Sequence, residues 1–511
     1  MTHREILEAL SGLLLALFVA MLSSTVVTNA LPRMVSDLGG TESGYTWVVV
    51  ATMLTMTATT PIWGKLADLV SKKLLVQSAL VIYALGSIAA GFAHSMGFLI
   101  GARAIQGIGV GGLTALVQVV IATMVSPRER GRYNGYIGAV FALATVSGPL
   151  IGGLIVDTAG WRWCFGVGIP VAVLAFVVLQ KTLHLPLLTR EVKVDYVGAA
   201  LIAAGVSGLL VWVSMAGTAF TWTSATSIIL VALSLAFLAA ALLVELHVQE
   251  PIIPLRLFGD RTTSLSVFAS AMIGVAMFGA TVFTSQYFQV ARGMTPTHAG
   301  LMSITMVGGL MVSSMISGRL ITTTGRWKRF LVSGMALSIA GVALLATIDA
   351  HTSLLEVGAF MAILGVGIGA SMQNLVLAVQ NSVSLNDLGA ASSLVSFSRS
   401  LGGSIGISAL GAVLGHRVHD NVTAGLSDIG VKLPPGTAAN SVPDMGSLPE
   451  PIRVVFENAF GEATGHLFLT AVPFAILAFV AVLFIREVPL RTTVEDDPES
   501  NTESNLATTV E

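Results

Sequence analysis

The sequence predicts an all-α polytopic membrane protein of about fourteen transmembrane helices, arranged as two six-helix bundles with two helices inserted between them. Three observations carry this. Hydrophobic residues make up 54% of the 511 residues and charged residues only 11%, where soluble proteins carry about 25% charged. Mean hydropathy is +0.84. Apolar runs of about 20 residues, enough to cross a ~30 Å hydrocarbon core, follow one another along the chain. Short glycine motifs then recur at a spacing near 254 residues.

The runs lie at 10–31, 46–66, 74–94, 97–121, 134–157, 163–182, 196–215, 225–246, 264–288, 299–321, 330–348, 354–380, 390–415 and 465–485. The first is too long for a cleaved signal peptide and is followed at once by a second span. Eighteen of the 26 basic residues fall in alternate loops, among them Arg4, Lys65, Lys72, Lys73, Arg128, Arg130, Arg132, Arg319 and Arg491. Six fall in the opposite loops: Arg33, Arg162, Arg292, Arg417, Lys432 and Arg453. The basic set is expected to face the cytoplasm, with both termini inside. Residues 416–463, rich in proline, are expected to form a long outside loop containing one short amphipathic helix over Val454–Phe460. The acidic tail 492–511 reads as disordered. The expected units are 1–190, 191–262 (the inserted pair and linker), 263–491 and that tail.

Two features exclude other classes. A net charge of -2 offers no basis for nucleic-acid binding. A lone cysteine, Cys164, leaves no internal disulfide or cysteine metal cluster. No metal or cofactor is expected, and the expected partners are small amphipathic molecules, protons and the lipid bilayer, with the chain a monomer.

The repeat pairs Gly64-Lys-Leu-Ala-Asp68 with Gly318-Arg-Leu-Ile-Thr322, and Gly148-Pro-Leu-Ile-Gly152 with Gly402-Gly-Ser-Ile-Gly406. It also pairs Gly107-Ile-Gly109-Val-Gly111 with Gly365-Val-Gly367-Ile-Gly369. Matches in the same order at near-constant spacing point to two related halves, of the kind that rock about a midplane site.

On these residues the chain resembles the major facilitator superfamily, and within it the fourteen-helix drug:proton antiporters of the EmrB/QacA type. Gly64, Asp68, Lys72 and Lys73 look like the superfamily's loop motif, with Leu69 and Ser71 departing from it. Leu99, Arg103, Gln106, Gly107 and Gly109 resemble the fourth-helix motif. Gly138, Gly148, Pro149, Gly152 and Gly153 resemble the fifth-helix motif of exporters. Trp161-Arg162-Trp163, Pro251-Ile-Ile-Pro254, Gln286-Tyr287-Phe-Gln289 and Phe397-Ser-Arg399 extend the likeness to about residues 10–490. One departure stands out. Members usually carry an acid in the first helix a few residues before Ala-Leu-Pro. Here Ser23 precedes Ala30-Leu31-Pro32, and a hydroxyl does not titrate at physiological pH.

The resemblance implies the major facilitator fold and a gating role for Gly64, Asp68, Lys72 and Lys73, with Gly148, Pro149, Gly152 and Gly153 forming a hinge or seal. Physically, Gly64 permits close approach of helix ends, and Asp68 can meet a helix N-terminus across the seam. Proline removes a backbone bond and glycines allow a neighbour to close in.

Charge within lipid costs about 2.5–3.5 kcal/mol, so Arg103, Asp157 and Arg399 are the candidates for proton coupling. Arg103 and Asp157 lie on neighbouring spans in the outer leaflet. Arg399 lies near the midplane with no acid at its depth. Glu245 and Glu356, near span ends, are expected to be solvated. The expected cavity lining is Asn29, Gln106, Gln286, Tyr287, Gln289, Gln373 and Asn374, with Met53, Met56, Met277 and Met306, since methionine repacks around varied ligands.

The function these features imply is proton-gradient-driven efflux of amphipathic or hydrophobic compounds across the cell membrane. A dedicated exporter of a lipid or a single natural product is the alternative. A nutrient importer fits the fifth-helix glycines less well. An enzyme would need clustered acids, His or Cys, whereas His94, His351 and His466 are scattered. No G-x-x-x-x-G-K-[ST] loop for ATP occurs.

The topology has a direct test. In a Cys164→Ser background, Lys72→Cys is expected to resist an impermeant thiol reagent added outside and Asn440→Cys to react. The reverse pattern contradicts the assigned sidedness.

Overall fold

A computed structural model describes residues 3–39, 42–183, 195–216, 220–248, 251–429 and 449–491. Among these there are sixteen α-helices and no β-strand. The first seven are α1 (His3–Asp37), α2 (Glu42–Leu69), α3 (Lys72–Gly91), α4 (Met96–Met124), α5 (Pro127–Thr158), α6 (Trp163–Gly166) and α7 (Gly168–Thr182). An inserted pair follows, α8 (Tyr196–Met215) and α9 (Ala225–Glu245). The remainder are α10 (Arg261–Val290), α11 (Pro296–Met302), α12 (Ile304–Thr324), α13 (Lys328–Leu345), α14 (Leu354–Ser382), α15 (Leu388–Asp428) and α16 (Glu450–Leu483). The pairs α6/α7 and α11/α12 each make one span, so the chain crosses fourteen times if α2 is included.

Thirteen of these segments are long and apolar enough to cross a membrane. The helix α2 has 28 residues but is diluted by threonines. Several of those threonines turn their hydroxyls onto their own helix, among them Thr55 to Ala51 O (2.9 Å) and Thr60 to Met56 O (2.7 Å). That satisfies the polar atoms without water.

Each half has its own apolar core. One cluster gathers Leu13, Val76, Leu116 and Leu179 from α1, α3, α4 and α7. Another gathers Ile273, Leu364, Leu410 and Phe468 from α10, α14, α15 and α16. Glycines set how closely the helices approach. A Cβ at Gly365 would strike the backbone of Met306, and one at Gly109 the backbone of Tyr83.

The inserted pair is joined by Trp212 Nε1 donating to Ser227 Oγ (2.7 Å). A third cluster, with Ile202 and Val206 of α8, Ala58 of α2 and Phe397 of α15, seats the pair over the seam between the halves. Glu245 corrects the sequence expectation here. It is buried rather than solvated, and its carboxylate accepts the backbone N–H groups of Ile252 (2.9 Å) and Ile253 (3.1 Å). The Pro251-Ile-Ile-Pro254 linker has backbone donors with no helix partner, and Glu245 supplies their acceptors. Glu356 stays exposed and closes a capping box with Ser353.

The loop expected over 416–463 is shorter than the sequence suggested. Helix α15 runs on to Asp428 and α16 begins at Glu450, so Val454–Phe460 is the first part of a continuous span. Polarity ends the apolar run, but no proline interrupts α15 as far as Asp428. Residues 430–448 and the tail 492–511 lie outside the described residues.

Gly365→Val is expected to destabilise the protein by about 1–3 kcal/mol, as overpacking does, read as a lowered melting temperature in detergent. Gly101→Ala, where a Cβ meets nothing within 4 Å, is expected to leave melting unchanged.

Candidate functional site: the seam between the halves

On the face carrying Lys72, Lys73, Arg128 and Arg319, here the basic face, the halves meet backbone to backbone. Gly64 near the end of α2 lies against Gly389 at the start of α15. A Cβ on either glycine would strike the other's backbone oxygen. This approach lets Asp68 reach the open N-terminus of α15. Its Oδ1 accepts from Gly389 N (2.8 Å) and its Oδ2 from Ala390 N (2.9 Å). Unsatisfied N–H groups and the positive helix end both favour a carboxylate there.

The repeat-related crossing is built alike. Gly318 of α12 and Gly131 of α5 face each other backbone to backbone. Arg128 Nε donates to Thr322 O (3.4 Å), at the position matching Asp68.

Further contacts close this face. Arg130 is buried and donates to Val125 O (2.8 Å), to Ala122 O and, across the seam, to Gln380 Oε1 of α14 (3.3 Å). Gln380 in turn donates to Ser392 Oγ of α15 (2.9 Å). After α16 the chain turns along the same face as a strap. Trp327 Nε1 donates to Val488 O (3.0 Å), Asn381 Nδ2 to Pro489 O (3.2 Å), and Arg128 N to Arg491 O (3.2 Å). Arg256 of the linker pairs with Asp387 (2.7 Å), the residue before α15. Lys65 is buried, and its charge acts on both Asp68 and Glu245. By sequence, Lys65, Arg130 and Arg491 are only loop charges. Their depth comes from helix ends converging, and no local pattern marks that.

Of the motif residues, Lys73 does not join the seam; its Nζ donates to Gln180 O of α7 (2.7 Å). Gly148 lies against Thr25 and Gly152 against Val26 O, so both admit α1 to α5. Gly153 meets nothing within 4 Å and packs against no helix. The side chains of Asn29, Pro149 and Asp157 lie outside the described residues.

Arg103 and Gln106 form a buried polar cluster inside the first half. Gln106 Oε1 accepts from Arg103, and Gln106 Nε2 donates to Ser23 Oγ (2.8 Å) and Ser87 Oγ (2.7 Å). Ser23 thus stands where an acid in the first helix would face this cation. Arg103 also donates to Val48 O (3.4 Å). Among the described residues no acid pairs with it.

Toward the membrane centre from the Asp68 contact, a small cavity lies between α2, α10 and α15. It is lined by Met53, Met56, Thr57, Phe278, Ser400, Ser404 and Ile407. Two of the expected methionines line it, while Met277 and Met306 lie in the second core. The expected amides are dispersed. Asn374 bonds its own helix at Ala370 O (2.6 Å), and Gln289 bonds Ser285. Gln286 is half-buried on α10 and Gln373 is buried on α14. Tyr287 is wholly buried and donates to Asp349 O (2.7 Å). It ties α10 to the loop after α13, away from the cavity. In that loop the Asp349 carboxylate accepts the backbone N–H of His351 (2.7 Å) and groups of Thr352, which hold it below the usual carboxylate range.

Arg399 lies in α15, 7% exposed, with no hydrogen-bond partner for its Nη1 among the described residues.

Residues 13–407 match the Major Facilitator Superfamily. An uncharacterized MFS-type transporter of Mycobacterium tuberculosis is 35% identical over 491 residues, covering 96% of this chain and 70% of that protein. The multidrug transporter protein MdtP of Bacillus subtilis is 36% identical, covering 80% of this chain and 75% of that one. Among solved structures, the proton:xylose symporter XylE aligns with a TM-score of 0.61 at 13% identity, covering 93% of this chain and 96% of that one. With these matches and this architecture, the chain belongs to the Major Facilitator Superfamily and is a multi-pass membrane transporter.

Proposed function

We propose that this transporter is a proton-gradient-driven exporter of amphipathic or hydrophobic compounds, working by alternating access as a monomer in the cell membrane. The observation that carries the reading is the seam: two related halves held together on one face by Asp68 and paired glycines, with a methionine-lined cavity above that closure. Such a closure has to open once per cycle, and an apolar, methionine-lined pocket suits varied apolar cargo. The multidrug name of the B. subtilis relative supports the same cargo class. The basic face is assigned to the cytoplasm from its excess of Lys and Arg. One charge moved across 100 mV supplies about 2.3 kcal/mol, enough to drive efflux against a gradient.

Coupling is assigned to Asp157 with the Arg103 cluster. Ser23 carries no titratable proton. The other acids near helix ends are already engaged: Asp37 accepts from Trp161 Nε1 (2.8 Å), Glu245 holds the linker, and Glu356 caps α14.

Efflux of ethidium from proteoliposomes, with and without an imposed pH gradient, tests the reading. Gradient-dependent efflux is expected; efflux indifferent to the gradient, or none, contradicts it.

Two variants test its parts. Asp68→Asn retains shape but weakens both bonds to α15, and is expected to lower transport by roughly tenfold, the factor that ~1.4 kcal/mol corresponds to, at normal expression. Asp157→Asn is expected to abolish gradient-driven efflux while ethidium still binds. Full transport by Asp157→Asn removes that residue from the coupling role.

A further inference from the structure

Among the described residues, the second half contains a cation without an anion. Arg399 is 7% exposed, and Nη1 of its guanidinium has no hydrogen-bond partner among the described residues. The helices around it offer no acid at its depth. Between their ends α10 has none, α14 has only Glu356 in its first turn, and α15 has none before Asp420. Helix α2 has Glu42 and Asp68 at its two ends, and Asp68 is committed to α15.

Buried hydroxyls lie at the same level, and among the described residues they too lack partners. On α15, Ser396 stands one turn from Arg399 and its Oγ is unpartnered. On α10, Ser270 and Ser266 are unpartnered. They stand one and two turns from Gly274, whose missing Cβ would strike the Arg399 backbone. On α2, unpartnered Thr57 lines the cavity beside Ser400, the residue after Arg399. Gln373 completes the level. Gln380 of α14 donates to Ser392 of α15, and two turns along each antiparallel helix from that contact lead to Gln373 and Arg399.

Contrast with the first half sharpens the point. Arg103 is as deeply buried, yet Gln106 and the Val48 carbonyl accept from it. A buried guanidinium with a donor left without a partner among the described residues, between helices that carry unused buried hydroxyls, is an arrangement for an oxyanion.

We propose that Arg399, with the hydroxyls of Ser270 and Ser396, anchors the oxyanion of an amphiphile whose apolar body enters the space that widens from the small Met53–Met56–Phe278 cavity when the halves part. The proposal rests on the export reading and narrows its cargo to include single-chain organic acids. An anionic lipid headgroup offers the same chemistry, and the test separates the two.

The test uses the full-length protein in dodecyl maltoside and tritiated dodecanoate, at a pH where the acid is ionised, against methyl dodecanoate. Wild type is expected to bind the acid roughly tenfold more tightly than the ester, the scale of one charged hydrogen bond. Arg399→Gln should erase that preference, Arg399→Lys should restore part of it, and ester binding should stay constant throughout. Equal binding of acid and ester by wild type, or an undiminished preference in Arg399→Gln, overturns the proposal.

Should Arg399→Gln fail to fold, the wild-type comparison still decides, and Ser270→Ala and Ser396→Ala are expected to weaken acid binding alone. An anionic phospholipid that copurifies with wild type and resists excess dodecanoate would make the site a structural lipid site and overturn the cargo assignment. Binding requires no gradient. A protein that prefers the acid but exports nothing therefore defeats the export reading alone. One that exports ethidium without preferring the acid defeats this proposal alone.

Discussion

Two hydrogen bonds that one carboxylate accepts from the start of one helix tie the halves together. Asp68 belongs to the first half, and Gly389 and Ala390 begin α15 of the second. A carboxylate at a helix N-terminus gains from both the free N–H groups and the helix dipole. The contact exists only because Gly64 and Gly389 have no side chains to hold the backbones apart. Around it lie the Arg256–Asp387 ion pair, the Arg130–Gln380–Ser392 chain and the strap ending at Arg491. Each joins a different helix to the same closure. All are polar and sit at one end of the molecule, so they can be exchanged for water when the seam opens. An apolar core of the same area would resist that exchange.

The two halves share a backbone plan but treat charge differently. The glycine crossings at Gly64–Gly389 and Gly131–Gly318 follow the repeat. The buried arginines do not. Arg103 is absorbed into a network with Gln106, Ser23 and Ser87, whereas Arg399 keeps a donor unused. Duplicated architecture with unlike polar content is what a transporter needs if one half is to carry protons and the other to hold cargo.

Much of this was legible in the sequence. Hydropathy marked the spans, including the threonine-rich α2, and the glycine motifs marked one glycine of each seam crossing, Gly64 and Gly318, but not its partner. Asp68 was legible because its motif is local: a glycine, then an acid one helical turn later at a helix end. The strap and Arg130 were not, because their partners come from helices hundreds of residues away. Tyr287 misled the reading because an aromatic hydroxyl in a span looks like cavity lining until its carbonyl partner on another loop is known. Glu245 misled it for the opposite reason. A span-end acid is ordinarily solvated, and only the fold of the Pro251–Pro254 linker brings donors to it.

The central claim is that the Asp68 contact sets the closure of the basic face. Distance measurement by pulsed electron resonance tests it most directly, with spin labels at Leu74→Cys and Arg326→Cys in a Cys164→Ser background, both on exposed positions of that face. One dominant short distance is expected, with a second, longer population when Asp68→Asn is added. Identical distributions with and without Asp68→Asn would contradict it.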